Sequence, residues 1–437
     1  VAASVLLVVG WTVRPAVVTA KDALPPQVMR GECPASEESQ EPKSLPRRLV
    51  GKVLLDNADS WRAMRAALTA LHDHPGEPLY QGIFSRCIKF QYPPSSLLAM
   101  DLLGVVLGEA GVSNPLLNAL SYAFLVLLLF AMLRIYTTGV AARGPPNLLD
   151  RALPVLFALV CYPVLKSIEL GQIQTWLNGM FALSVLLFLT GRPLAAGVLI
   201  GLMATIKPQM GLFLVWALVR REWILARGIA LTAAVVMLLS LLRYGLATHL
   251  EYLGVLSSIS RHGESYMANQ SFNGLLLRAL HLGPNIFFDR SGFAPYHPAV
   301  RWGTLVTSLA ILAFALIYRP KAKSARGVDF GLAAVCFTVA SPIAWEHHYG
   351  IFPVVFAVAA ALLVERGEVR RSVWVALGVA WVLTAVRFAG TQALYATPLN
   401  FLQSHVYFGA LLLIGVLHVV RRADDPKASP ARAGASG

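Results

Sequence analysis

Residues 54–94 read LLDNADSWRAMRAALTALHDHPGEPLYQGIFSRCIKFQYPP and precede nearly every other apolar run of the chain. Two acids three apart, Asp56 and Asp59, open it. Trp61, Met64, Leu68 and Leu71, with Ala67, then recur at three- and four-residue steps, while Arg62, Arg65 and His72 take other faces. That spacing predicts an amphipathic helix with acids at its N-terminus, of the kind that lies on a membrane surface. An aromatic and proline cluster follows, made of Tyr80, Phe84, Phe90, Tyr92, Pro93 and Pro94. The stretch is expected to form a functional loop held against a bilayer.

The rest of the chain supplies the bilayer. Of 437 residues, 56% are hydrophobic and 14% charged, a composition that belongs to polytopic membrane proteins rather than soluble domains. A net charge of +14 in a soluble chain points to nucleic acid. Here Lys and Arg sit between apolar runs, as the positive-inside rule and anionic headgroups require, so membrane lipids are the expected partner and nucleic acid is not. Cys161 and Cys336 fall inside apolar runs and read as small buried hydrophobes. Cys33 and Cys87 share the first polar loop, where an oxidising compartment would permit a disulfide.

The predicted fold is an all-α integral membrane protein. Residues 1–20 form the first transmembrane helix, read as uncleaved, and 21–114 an extracytoplasmic loop with amphipathic or re-entrant helices. Residues 115–420 form the polytopic bundle, with a second outer loop at 246–300, and 421–437 a disordered cytoplasmic tail. Apolar runs at 116–133, 153–165, 176–189, 195–205, 211–219, 224–242, 303–318, 330–343, 351–364, 373–386 and 401–420 bring the expected total to about twelve helices, several shorter than the ~20 residues a straight span needs. Basic loops around Arg143, Arg192, Arg220, Arg326, Arg370 and Arg421 all fit the cytoplasmic side if 195–219 is a hairpin turning at Lys207-Pro208. Residues 167–174, 246–300, 345–350 and 390–400 then face outward with the first loop.

Five outward stretches carry more polar and aromatic character than packing requires: the Asp56/Asp59 loop, residues 166–174, Lys207-Pro208-Gln209, residues 262–274 with Arg278, and residues 341–350. Their motifs are Leu79-Tyr80-Gln81, Tyr92-Pro93-Pro94, Gly171-Gln172-Ile173, AGVLIGLMATIKP at 196–208, NQSFNG at 269–274 and SPIAWEHHY at 341–349. In this order, over roughly residues 50–420, the chain resembles glycosyltransferase family 87 of the GT-C superfamily, formerly domain of unknown function 2029. The opening DNADSW departs from the family's acid–aromatic pattern, so Asp56 and Asp59 both stay open as the catalytic acid.

The resemblance implies a GT-C-type bundle that transfers a hexose, mannose first, from a polyprenyl-phosphate sugar to a glycolipid or glycan, with inversion. The extracytoplasmic side of a bacterial inner membrane is the expected place. Residue chemistry agrees: a carboxylate can take the acceptor proton, and cations can neutralise the phosphate leaving group. Asp59 and Asp56 are the candidate bases. Lys207, His347, His348, Arg278, Gln172, Asn269, Gln270 and Tyr92 are the candidate donor-phosphate or substrate contacts. No cofactor is expected: a divalent metal stays open but unsupported, because DNAD is not a DxD pair and side chains can hold a single phosphate.

Each residue also has a plainer reading. Asp59 or Ser60 can cap the helix. The histidines beside Trp345 can belong to an aromatic belt. Lys207 can snorkel at a hairpin tip, and Arg278 can anchor headgroups. Asn269 can form turns, Gln172 and Gln174 can bond between short helices, and Lys166 can pair with Glu169. A transporter or lipid flippase is the rival function; it requires midplane charges and two related halves.

Overall fold

The computed structural model describes residues 58–422, apart from positions 75, 109–110, 291, 319, 321–324 and 368. The predicted first span, Cys33, Asp56 and residues 423–437 lie outside the described residues. Within them the regular structure is helical, with an isolated antiparallel bridge between Asn269 and Trp345.

Helix α1 (Asp59–Asp73) forms where the spacing places it, and its buried residues include Trp61, Met64, Ala67 and Leu68. Its partner differs from the expectation. The apolar face packs into protein rather than onto a bilayer: Trp61 is 1% exposed, meets Trp176 in a tilted ring pair at 5.2 Å and donates its indole N–H to Asn118 at 3.1 Å. A half-apolar helix covers whichever dry surface is nearer, and here that surface is the bundle. The short helix α2 (Leu79–Phe84) and α3 (Leu98–Leu107) follow. Leu102, Val105 and Val106 of α3 stay exposed, as a lipid-facing flank would.

The bundle comprises α4 (Asn114–Val140), α5 (Leu148–Leu159), α6 (Tyr162–Glu169), α7 (Gln174–Leu189), α8 (Pro193–Ile206), α9 (Leu212–Arg220) and α10 (Trp223–His262). It continues with α11 (Phe272–Ala279), α12 (Pro298–Ile317), α13 (Arg326–Val339), α14 (Phe352–Arg366), α15 (Arg371–Ala385) and α16 (His405–Arg422). Among the described residues, five stretches are long and apolar enough to cross a membrane: α4, α10, α12, and the runs Glu346–Arg366 and Pro398–Arg422. A sixth appears if α5 and α6, bent by 52°, count as one. The expected count of about twelve, whose first member lies outside the described residues, is not confirmed by these spans. The protein is an integral membrane protein in which the short apolar helix α7 is enclosed by neighbours, while α15 keeps Val375, Val379 and Val382 exposed.

The hairpin expected at Lys207 is present: α8 ends at Ile206, a 3-10 turn spans Pro208–Gly211, and α9 returns. Helices α8 and α10 touch backbone to backbone. A Cβ on Gly197 would sit 2.3 Å from the Leu225 carbonyl, and one on Gly228 2.5 Å from that of Leu194. Small residues permit such close approach in membranes. Helix α10 outruns its predicted span, kinks at Gly245 (φ 76°) and carries on into the second outer loop.

The two ends of the bundle collect different charges. At one end α9, α12, α13 and α16 meet around Asp329. Its carboxylate accepts from Arg220 at 2.6 Å, from Arg421 at 2.5 Å and from the Trp216 indole at 3.1 Å. Arg220 also donates to the Ala315 and Leu316 carbonyls. Arg421, expected in a solvated tail, is instead a buried member of this group and lies 4.3 Å over the Tyr318 ring. A buried charge is tolerated when paired and fully hydrogen-bonded, and Asp329 meets that condition.

Candidate active site

At the opposite end, the predicted stretches come together on the turn Gly171-Gln172-Ile173-Gln174. The start of α1 docks on it through its backbone: Asp59 N–H donates to the Leu170 carbonyl at 3.0 Å and Ser60 N–H to that of Gly171 at 3.3 Å. Asp59 therefore lies in the first turn of α1 with its N-cap at Ala58, which makes no side-chain cap bond. The carboxylate is exposed and accepts from the Gln172 side-chain amide, while Ser60 takes the structural work. The Ser60 hydroxyl donates to Gln172 Oε1 at 2.6 Å and accepts from Ile173 N–H at 3.1 Å.

Tyr92 completes the group. Its hydroxyl donates to Gln172 Oε1 at 3.1 Å, so it orients the glutamine that holds the acid. Burial first, and then the Asp59 charge, raise its phenol pKa above the ordinary range, although the Ser60 contact opposes them. The loop carrying Tyr92 is fixed on both sides. Tyr80 donates to the Tyr92 carbonyl at 2.7 Å, and Ser95 to that of Thr205 at 2.6 Å, which ties it to the end of α8.

Two residues after Gln172 the same turn presents Gln174, whose Oε1 accepts from Lys207 Nζ at 2.6 Å. Lys207 is buried, and desolvation lowers its pKa well below the usual lysine value. Gln174 also donates to Asn178 at 2.8 Å, and Asn178 packs against Gly350 so tightly that a Cβ there would lie 2.3 Å from its amide nitrogen. This seats the 3-10 turn Glu346–Ile351 on α7. It carries His347 and His348, rings 4.8 Å apart, both within electrostatic reach of Lys207. The His348 Nδ1 is buried without a hydrogen-bond partner. Glu346 of the same turn accepts from Tyr162 at 2.8 Å. One four-residue turn thus holds an acid by its first glutamine and a cation by its second.

Three candidates occupy a different place. Asn269 spends its amide on the Glu264 and Pro342 carbonyls and on the Ala344 N–H. Gln270 donates to the Met267 and Gln403 carbonyls and accepts from Val406 and Tyr407 N–H. Arg278, 1% exposed, donates to the Tyr266 and Asn269 carbonyls at 3.1 and 3.0 Å and to Ser404 at 2.6 Å. Burial brings its pKa down to about 9. These side chains brace the second outer loop against residues 342–345 and the start of α16, and the Arg278 Nε is left buried without a hydrogen-bond partner. The expected Lys166–Glu169 pair forms at 3.6 Å.

Sequence reasoning missed Ser60 as the hinge of the acid cluster and passed over Lys89 and Glu264, which meet at 2.9 Å between the two outer loops. An ionisable Lys89 directly before Phe90 was the available signal. Cys161 and Cys336 are free and buried, as expected, and Cys87 is disulfide-bonded. No group of three or more His, Cys, Asp or Glu suited to a metal ion occurs among the described residues.

The sequence profile of glycosyltransferase family 87 matches residues 90–342, more than half of the chain. A curated relative in Mycolicibacterium smegmatis is 27% identical over 342 residues, 73% of this chain and 69% of its own length. It is named polyprenol-phosphate-mannose-dependent alpha-(1-2)-phosphatidylinositol mannoside mannosyltransferase.

Proposed function

The chain belongs to glycosyltransferase family 87, and from that premise we propose that it moves a hexose, mannose first, from a polyprenyl-phosphate sugar to a glycolipid or glycan. The name of the mycobacterial relative supports both donor and acceptor class. The observation that carries the reading is the Gly171–Gln174 turn, which sets Asp59 and Lys207 on neighbouring glutamines.

The chemistry needs those two functions side by side. Asp59 takes the proton of the acceptor hydroxyl as its oxygen attacks the anomeric carbon. The bond from that carbon to the phosphate oxygen breaks, and the polyprenyl phosphate leaves with the electron pair. One displacement inverts the anomeric centre. Charge grows on the leaving phosphate, and Lys207 with the His347–His348 pair stabilises it in a site that excludes water. A buried lysine with a lowered pKa regains its proton when a phosphate arrives beside it, which favours the charged form. With Lys207 charged and the His347–His348 pair offering ring N–H groups to the phosphate, the transfer proceeds without a divalent ion. The acid end faces the extracytoplasmic side of the inner membrane, and the arginine-rich end the cytoplasm; the basic loops support that orientation.

The test is transfer from radiolabelled polyprenyl-phosphate mannose into lipid extract by the purified protein, wild type beside Asp59→Asn. Label appearing in lipid with wild type and vanishing with the variant supports the reading. No transfer from any polyprenyl-phosphate sugar would remove it and bring back the flippase.

A further inference from the structure

Lys89 and Glu264 lie far apart in sequence and form a buried salt bridge of 2.9 Å, with side chains 5% and 2% exposed. The ammonium also sits 4.4 Å from the Phe288 ring centre and 4.7 Å from that of Phe293. Burial raises the Glu264 pKa, and the Lys89 charge opposes the rise. Desolvating two charges offsets much of their attraction, and a well-packed apolar pair would stabilise the same contact as well. Fold stability alone does not account for an ion pair here. Directional geometry does, because a charge-assisted hydrogen bond fixes register in a way that apolar contact cannot.

Each partner is tied to a different half of the active site. Lys89 stands three residues before Tyr92, and Phe90 between them is fully buried and stacks 5.7 Å from Tyr80. A shift at Lys89 therefore reaches Tyr92, Gln172 and Asp59. Glu264 follows Gly263, whose positive φ of 68° ends α10. Its N–H donates to Asn273 at 3.3 Å and its carbonyl accepts from Asn269 at 2.8 Å. Asn269 holds Ala344, and the neighbouring Ala268 carbonyl accepts from Glu346 N–H at 2.9 Å, next to the histidines. We propose that the Lys89–Glu264 pair is a positioning clasp that sets the acid-bearing loop against the histidine turn. This rests on the proposed transfer reaction. The pair touches no reacting atom in that scheme; it acts through Tyr92 on one side and Asn269 on the other.

The experiment compares wild type, Lys89→Arg, Lys89→Met and the double variant Lys89→Met/Glu264→Leu, each as full-length protein in phosphatidylethanolamine/phosphatidylglycerol vesicles. The double variant removes both charges together, so it folds even where Lys89→Met leaves Glu264 buried and unpaired. The expected result is a normal unfolding midpoint for the double variant with kcat lowered about 10-fold or more, because small misplacements of reacting groups are costly. Its donor KM stays near the wild-type value, and Lys89→Arg recovers most of the rate. Amide hydrogen exchange at residues 90–92 and 345–348 should quicken in the double variant. Wild-type kcat in the double variant, or a loss that tracks only the folded fraction, overturns the clasp. If wild type transfers no sugar, the reaction is wrong, and exchange alone then judges the clasp: unchanged exchange overturns it.

Discussion

Two groups on the same end of the bundle are built from similar residue types and do opposite things. Around Asn269, Gln270 and Arg278, the amides and the guanidinium are bonded to carbonyls, N–H groups and Ser404 within the protein. Around Asp59, Gln172 and Lys207, the glutamines hold the charged groups, and Asp59 stays exposed while His348 keeps an unpartnered nitrogen. Each group keeps a buried polar atom without a partner, Arg278 Nε in the first and His348 Nδ1 in the second, so what separates them is the exposure of Asp59 and the charged groups the glutamines hold. We read the first group as a brace and the second as the proposed site, from where their bonds go.

The sharpest way to break that comparison is Asp59→Asn. The amide oxygen still accepts from Gln172, so the cluster stays closed, but the base is gone and turnover should fall about 10³-fold. A loss of only a few-fold would move the base elsewhere, with Asp56 the first alternative. On the brace side, Arg278→Met strips a buried cation from its carbonyls and should cost about 3 kcal/mol of stability. Thermal unfolding reads this directly, and the donor KM of the folded fraction should not change. Normal unfolding with a weakened donor KM would instead return Arg278 to the phosphate site.

Lys207→Met should lower kcat/KM for the donor about 10²-fold, as loss of a preorganised charge stabiliser does. Its unfolding midpoint should hold or rise, since it removes a desolvated cation. Gln172→Ala loosens Asp59 without removing it, and about 10-fold in kcat is expected from losing the contacts of a buried amide. An equal loss in Asn269→Ala at normal stability would erase the distinction between brace and site. The smallest effect belongs to EDTA, under which the transfer rate should stay the same; a rate restored only by added Mg²⁺ or Mn²⁺ would place a metal at the phosphate.

Much of the fold could be read from the residues. The 3.6-residue recurrence of Trp61, Met64 and Leu68 gives α1, and Lys207-Pro208 between two apolar runs marks the hairpin. Span number could not be read this way. Hydropathy records that α7 and α8 are apolar, and an apolar helix suits protein and lipid alike. The same blindness put α1 on the bilayer. At the site, residue types were legible and partners were not: nothing in the string NQSFNG says that its amides face carbonyls, and nothing in GQIQ says which glutamine takes the acid.

The sequence by itself determined that this is a helical membrane protein with polar, chemically competent segments gathered on one side. Apolar length, charge placement and local motif are properties of consecutive residues, so they survive without a fold. Only the tertiary structure decided which of those segments meet. Gln172 reaches Asp59 and Gln174 reaches Lys207 across more than a hundred and about thirty residues respectively. Asp329 gathers Arg220 and Arg421 in the same way at the far end. Hydrogen bonds act over about 3 Å whatever the distance along the chain, and packing alone brings such residues within that range.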